Sequence, residues 1–203
     1  MIVYVETNFL LEVAYLQERC DSCQEIIELA KVGAISLAMP AFSAAEARAT
    51  WRRRVSERQD FLSASQRPIR DISRSQLFRG LGEQFREVVR ALAADNEESR
   101  ERLENTIRAI EAHGTVIPLT SEIVMMGQFH ELAYSLSPQD ALVLASVRSH
   151  AENEPGPKCF VSQDAKDFAN PMVYDELSPT NCKVIANFAD ALAYIRNAIR
   201  PPG

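Results

Sequence analysis

Five short runs of apolar, mostly β-branched residues, with helical periodicity between them, restrict this chain to a narrow set of folds. The runs are Ile2-Val3-Tyr4-Val5, Ile35 to Met39, Thr115 to Leu119, Lys158 to Ser162 and Lys183-Val184-Ile185. Runs so short and apolar mark strands buried on both faces. Strands alternating with helices give an α/β fold of three layers, α/β/α, around a mainly parallel five-stranded sheet. The functional crevice of such folds lies outside the carboxyl ends of the strands.

The intervening segments carry their own punctuation. Helical character resumes at Phe9 and runs to Leu16. Leu16, Cys20, Cys23, Ile27 and Ala30 follow a 4-3-4-3 spacing, which predicts one helix, or two broken near Asp21-Ser22, ending at Gly33. Ser43 and Glu46 have the spacing of a capping box for the next helix, which runs through Trp51 into an arginine-rich stretch. From about Arg67 to His113 the chain reads as two or three amphipathic helices, interrupted near Gly80-Leu81-Gly82 and Asp95-Asn96. A further helix is expected from Ser121 to Ala133. Ser137-Pro138-Gln139-Asp140 opens another that is apolar nearly all round, hence central, and Asn187 caps the last one, to Ile199.

With 203 residues, 46% apolar and 25% charged, the chain has the material for one large domain, or a small one carrying an insertion. No apolar run approaches the ~18 residues of a membrane span. The start lacks a basic leader, so a cytosolic protein without membrane association is expected. Four scattered cysteines do not make a disulfide framework. The net charge of −6 is unevenly spread: residues 48–108 hold 14 of the 18 arginines against 10 acids, a net +4, and the remainder stands at −10. An acidic body joined to a basic segment suits a carboxylate metal site beside a polyanion-binding surface, and equally a solvated helical face laced with Arg–Glu pairs.

Four acids fall at the sheet edge where function is expected. Glu6 follows the first strand, Glu46 and Asp140 sit in first helical turns, and Asp164 lies just beyond the fourth strand. Singly, each has a plain structural reading as a helix cap or a loop residue. Gathered in partial burial, they would repel one another and hold raised pKa values unless a cation neutralised them. Oxygen ligands without histidine or thiolate suit Mg²⁺ or Mn²⁺ rather than zinc.

The segments Val5 to Glu12, Pro40 to Glu46, Pro138 to Ala145 and Phe160 to Phe168, in this order and spacing, resemble the signature segments of the PIN-domain family. The resemblance covers about residues 1–54 and 115–195. It implies a metal-dependent ribonuclease fold, seen in toxins of toxin–antitoxin pairs and in RNA-processing nucleases. Carried over by position, Glu6, Glu46, Asp140 and Asp164 are the metal-binding acids, Asp167 a supporting acid, and Asn8 and Ser162 polar groups that orient the site. The family pattern usually has Asp where Glu6 stands; one more methylene extends its reach by ~1.5 Å. The stretch at 55–112 exceeds what small family members need, so the expected organisation is a single domain with core 1–54 and 113–199 and a helical insertion or arm.

The expected function is hydrolysis of RNA phosphodiester bonds with Mg²⁺ or Mn²⁺, with Arg53 as first phosphate contact because it follows Glu46 by two helical turns, and Arg54 and Arg58 next. An antitoxin protein and a second copy of the chain are the expected protein partners. Two other readings stand beside it: a catalytically impaired PIN-like module that binds RNA or a protein, and a phosphatase or DNA nuclease using the same acids. Other signals carry less. Cys20 and Cys23 fall on an apolar stripe and read as core, as does Trp51; His113, His130 and His150 lack ligand spacing; and no glycine-rich phosphate loop occurs.

Overall fold

The structure, a computed structural model, describes residues 1–163, 168 and 170–200. Five parallel strands form one sheet: β1 (Ile2–Val5), β2 (Ser36–Pro40), β3 (Gly114–Ile117), β4 (Lys158–Val161) and β5 (Cys182–Ile185), in the order β3-β2-β1-β4-β5. The expected α/β sandwich with a five-stranded sheet is thus present, and every strand pair is parallel. Side chains alternate between two cores. Val3, Val5, Leu37, Met39, Cys159 and Val161 face α1 (Thr7–Ala14), α2 (Cys20–Lys31), the root of α4 (Leu81–His113) and α8 (Phe188–Ile199). Tyr4, Ala38, Phe160 and Val184 face α5 (Ser121–Tyr134), α6 (Pro138–Asn153) and α7 (Pro171–Leu177). A strand alternates its side chains, so apolar residues at adjacent positions of a four-residue strand serve both layers.

Local chemistry moved several boundaries. The first helical region breaks at Tyr15–Arg19, earlier than Asp21-Ser22. Leu16 takes the left-handed conformation (φ 49°), and the carboxylate of buried Glu12 accepts the N–H of Arg19. Gly33, at φ 73°, ends α2 as its sequence position suggested. Ser43 does not cap the third helix. Helix α3 (Ala41–Ile72) starts directly on the last strand residue, Pro40, whose ψ of 133° leaves the strand already pointed into the first turn. Ser43 is therefore inside the helix and buried, and Glu46 is its sixth residue rather than half of a capping box. Helix α7 was not anticipated, although Asn170-Pro171 is an N-cap followed by an N1 proline, and the Asn170 side chain accepts the Met172 N–H at 3.0 Å.

Helices α3 and α4 form a long antiparallel hairpin, turning through a short 3₁₀ segment at Gln76–Phe78. Helix α4 continues through Asp95-Asn96 because both side chains find tertiary partners: Arg58 donates to Asp95 at 2.8 Å and to Asn96 at 2.6 Å. Two further cross-links lie nearer the root, a two-pronged Arg48–Glu104 pair at 2.8 Å and the Trp51 indole on Ser99 at 3.1 Å. No residue from 48 to 98 is buried, so the outer hairpin projects from the core. Cys20 and Cys23 are free thiols in the core, as their stripe predicted. Among the described residues no helix is long and apolar enough to cross a membrane.

Helix α4 passes into β3 without a connecting residue, which forces Gly114 against its neighbour strand. A Cβ there would stand 2.4 Å from the Leu37 carbonyl oxygen and 3.0 Å from that of Ile110, both backbone atoms in regular structure. Gly114→Ala is therefore expected to destabilise the protein by about 1–3 kcal/mol in urea unfolding, through overpacking. An unchanged midpoint would show that the α4–β3 junction yields easily.

Candidate active site at the carboxyl edge of the sheet

Glu6 is the residue at which β1 becomes α1. It is the N-cap of that helix, and its side chain accepts the Asn8 N–H at 2.8 Å. Its other oxygen accepts the hydroxyl of Ser162, at the end of neighbouring β4, at 3.0 Å. Both strands end here because the parallel register pairs Val5 with Val161. Glu6 is 4% exposed. Burial pushes its carboxyl up to about 8, and the negative charges of Glu46 and Asp140 add to the rise, against the pull of the Asn8 and Ser162 hydrogen bonds.

Glu46 comes from the second turn of α3. Its carboxylate accepts the hydroxyl of Thr7, whose oxygen also lies 3.4 Å from the Ser43 carbonyl; the one hydroxyl proton serves the nearer carboxylate. Asp140 sits at the third position of α6. Ser137, the N-cap, accepts the Asp140 N–H at 3.1 Å and donates its hydroxyl to the Asp140 carboxylate at 2.5 Å. Glu6, Glu46 and Asp140 thus come from three distant segments and line one cleft of about 320 Å³, together with Thr7, Asn8, Thr50, Ser137 and Gln139. A larger recess between α2 and α4, about 500 Å³, contains none of them.

The other expected site residues divide. Asn8 lines the cleft and contributes its backbone N–H to Glu6, and Ser162 is buried behind Glu6. Arg53 and Arg54 form part of the cleft wall. Arg53 is largely exposed, 3.8 Å from Glu57, and the Arg54 guanidinium lies 4.5 Å from the centre of the Tyr15 ring. Arg58 is turned into the hairpin, on Asp95 and Asn96. Asp164 and Asp167 lie outside the described residues. Sequence reasoning missed Thr7, although a hydroxyl directly after Glu6 at a helix start was a visible signal. It also missed Thr50, which only the helical repeat from Glu46 brings to the same face.

The donor set is all oxygen, and three acids with one of them raised by burial and by its neighbours' charge form a site chemically suited to a hard divalent cation. Among the described residues, however, no group of three or more acids, histidines or cysteines is gathered tightly enough to hold a metal ion by itself. Each carboxylate has its own hydroxyl donor: Ser162 for Glu6, Thr7 for Glu46 and Ser137 for Asp140.

A family model described as PIN domain matches residues 3–168. Among solved structures this chain is similar to one chain of the crystal structure of VapBC2 from Rickettsia felis bound to a DNA fragment from their promoter, at 14% identity, covering 91% of this chain and 98% of that one, with a TM-score of 0.48. No match is found among curated proteins.

The state of Glu6 sets a pH dependence. Its folded value, about 8, lies above the ordinary 4.5, so the native state holds a proton that the unfolded chain releases. This contribution is complete below about pH 4.5 and is lost as pH rises through 8. In EDTA, thermal unfolding of the wild type is expected to weaken between pH 6 and 9. Glu6→Gln should gain roughly 2–4 kcal/mol on it over that range. Parallel pH profiles for the two proteins would refute the buried-acid assignment.

Proposed function

Since this chain belongs to the PIN-domain family, we propose that it is an endoribonuclease that hydrolyses RNA phosphodiester bonds with the help of Mg²⁺ or Mn²⁺. The observation that carries this reading is the meeting of Glu6, Glu46 and Asp140 in one cleft walled by Arg53 and Arg54. Acids alone would repel a phosphate, and arginines alone would bind it without chemistry. The two together suit a cation and a polyanion at once.

Glu6, Glu46 and Asp140 would hold the ion, with Asp164 and Asp167 proposed as further acids from the segment after β4. When bound, a divalent ion supplies an acidified water and offsets negative charge at phosphorus and at the departing oxygen. The remaining work belongs to the chain. Thr7, Ser137 and Ser162 fix the carboxylates by donating hydroxyls to them, as outer-shell partners of a metal site do. Asn8 holds the second Glu6 oxygen through its N–H. Arg53 and Arg54 neutralise backbone phosphates at the cleft wall, whereas Arg58 braces the hairpin that presents them. Burial keeps a proton on Glu6 near neutrality, so for Glu6 to serve as a ligand that proton would have to leave.

The family includes toxins of toxin–antitoxin pairs. In that role the protein acts inside the cell, and its cleft is controlled by an antitoxin protein; a homodimer belongs to the same reading. A second reading has a specific basis. Glu6 is buried, with both of its oxygens already on Ser162 and Asn8. A PIN-like module that binds RNA or a protein without cleaving would look like this.

Two measurements separate the readings. With Mn²⁺ or Mg²⁺ the wild type should cleave RNA, EDTA should abolish cleavage, and Asp140→Asn should reduce it by roughly 100-fold or more, since even outer-shell changes at metal sites reach that size. Equal cleavage by the variant would remove the catalytic assignment, and calorimetry without manganese uptake would favour the binding module. For RNA affinity, Arg53→Ala should flatten the plot of log K against log salt by roughly 0.7, the share of one single-strand phosphate contact. An unchanged slope would exclude Arg53 from the phosphate path.

A further inference from the structure

The arginines of α3 nearest the cleft are held in different ways. Arg53, in the cleft wall, is largely exposed, with Glu57 3.8 Å away. Arg58 is committed to Asp95, at 2.8 Å, and to Asn96. Arg54, the second arginine of the cleft wall, is half-buried and pairs with no carboxylate among the described residues. A ring holds it instead. Its guanidinium lies 4.5 Å from the centre of the Tyr15 ring, and that of Arg58 reaches the same ring at 5.9 Å, both within the range of a cation–π contact. The Tyr15 hydroxyl lies near the Arg54 guanidinium but forms no hydrogen bond with it, so the face of the ring is the contact. Tyr15 is itself fixed in place. It caps α1, donating its N–H to the Leu11 carbonyl at 3.0 Å, and packs against the core, while Arg102 donates to the preceding carbonyl, that of Ala14, at 2.8 Å. One short helix therefore presents Glu6, Thr7 and Asn8 to the cleft at its start and the ring to Arg54 at its end.

The kind of holder matters to what Arg54 can do. A carboxylate would also fix the side chain, but it would cancel the charge that a phosphate needs and set one more anion beside the cleft. A ring face attracts the planar guanidinium on one side and leaves its N–H edge and its full charge for an anion. Burial raises the Tyr15 phenol above its ordinary 10, so the ring stays neutral near pH 7. We infer that Tyr15 is a positioning residue, which orients Arg54 toward the phosphate backbone of RNA in the cleft and makes Arg54 the pre-set phosphate contact of the Arg53–Arg54 pair. The inference takes the identity of its ligand from the ribonuclease reading above. An arginine already ordered in the free protein has less side-chain freedom to lose when the phosphate arrives. Arg53, exposed and without such a brace, has that freedom still to lose. If Tyr15 served only to join α1 to α3, its loss would reach RNA whether or not Arg54 were present. A positioning role acts through Arg54 alone.

The test uses the full chain and an unstructured RNA, a fluorescent oligouridylate, whose binding is followed by anisotropy in EDTA, where no cleavage intervenes. Tyr15→Leu should raise Kd roughly three- to tenfold, the size expected when one flexible side chain must be ordered on binding. Tyr15→Phe keeps the face and loses only the hydroxyl, so its Kd should stay within about twofold of the wild type. Arg54→Ala should bind more weakly, with a salt slope flatter by roughly 0.7, and adding Tyr15→Leu to it should change nothing further. Equal losses from Tyr15→Leu with and without Arg54 overturn the assignment and make Tyr15 a brace of the fold. So does wild-type affinity in Tyr15→Leu, or a loss in Tyr15→Phe as large as in Tyr15→Leu. Should circular dichroism show Tyr15→Leu unfolded, a ring-fluorinated phenylalanine at this position keeps the shape and removes the attraction of the face. The same rise in Kd is then expected, and wild-type affinity overturns the assignment. Cleavage of the same RNA by the wild type with Mn²⁺ is read separately. Ring-dependent binding without cleavage leaves the role of Tyr15 standing and removes the nuclease, while cleavage with ring-independent binding does the reverse.

Discussion

A carboxylate withdrawn from water must be matched by donors, by a proton or by a cation, and Glu6 is where this protein meets that requirement. Its side chain ties the end of β1 to the end of β4 through Ser162 and closes the first turn of α1 through the Asn8 N–H. The sheet edge, the start of α1 and the floor of the cleft are therefore set by one side chain. Burial first, and the negative charges of Glu46 and Asp140 after it, keep this group protonated well above the usual carboxylate range. The geometry of the fold and the chemistry of the cleft are two consequences of that burial.

The fold was legible in the sequence where an element depends on its own residues. All five strands were readable because each is short and mostly apolar. Gly33 and Ser137-Pro138 announced a helix end and a helix start. What could not be read depended on partners distant in sequence. Asp95-Asn96 looks like a break until Arg58 is placed opposite it, and the turn near Leu16 rests on the carboxylate of Glu12. The junction at Pro40 misled for a different reason. Ser43 and Glu46 have the spacing of a capping box, yet the strand delivers the chain directly into a helix that has already begun.

That misreading bears on the site. As half of a capping box, Glu46 would have had a sufficient structural explanation. Set in the second turn, with its carboxylate on Thr7 and facing the cleft, it has none of the roles of a helix cap. Asp140 keeps both roles, as a partner of its N-cap and as a wall of the cleft. The gathering of acids was foreseeable from topology, because parallel strands bring their carboxyl ends to one edge. The individual hydroxyls that hold each acid were not, since serine and threonine are common at such positions for reasons of turn geometry alone.

Both helices of the projecting hairpin join the sheet without slack: α3 follows β2 at once, and α4 enters β3 at once. The hairpin is thus rooted on two adjacent strands, with Glu46 close to its base and the turn far from it. Ala44 and Ala47 of α3 and Leu103, Ile107 and Ile110 of α4 are buried around that base. The carboxylate of α3 therefore stands on the part of the hairpin that the core clamps, and the unclamped length begins only past it.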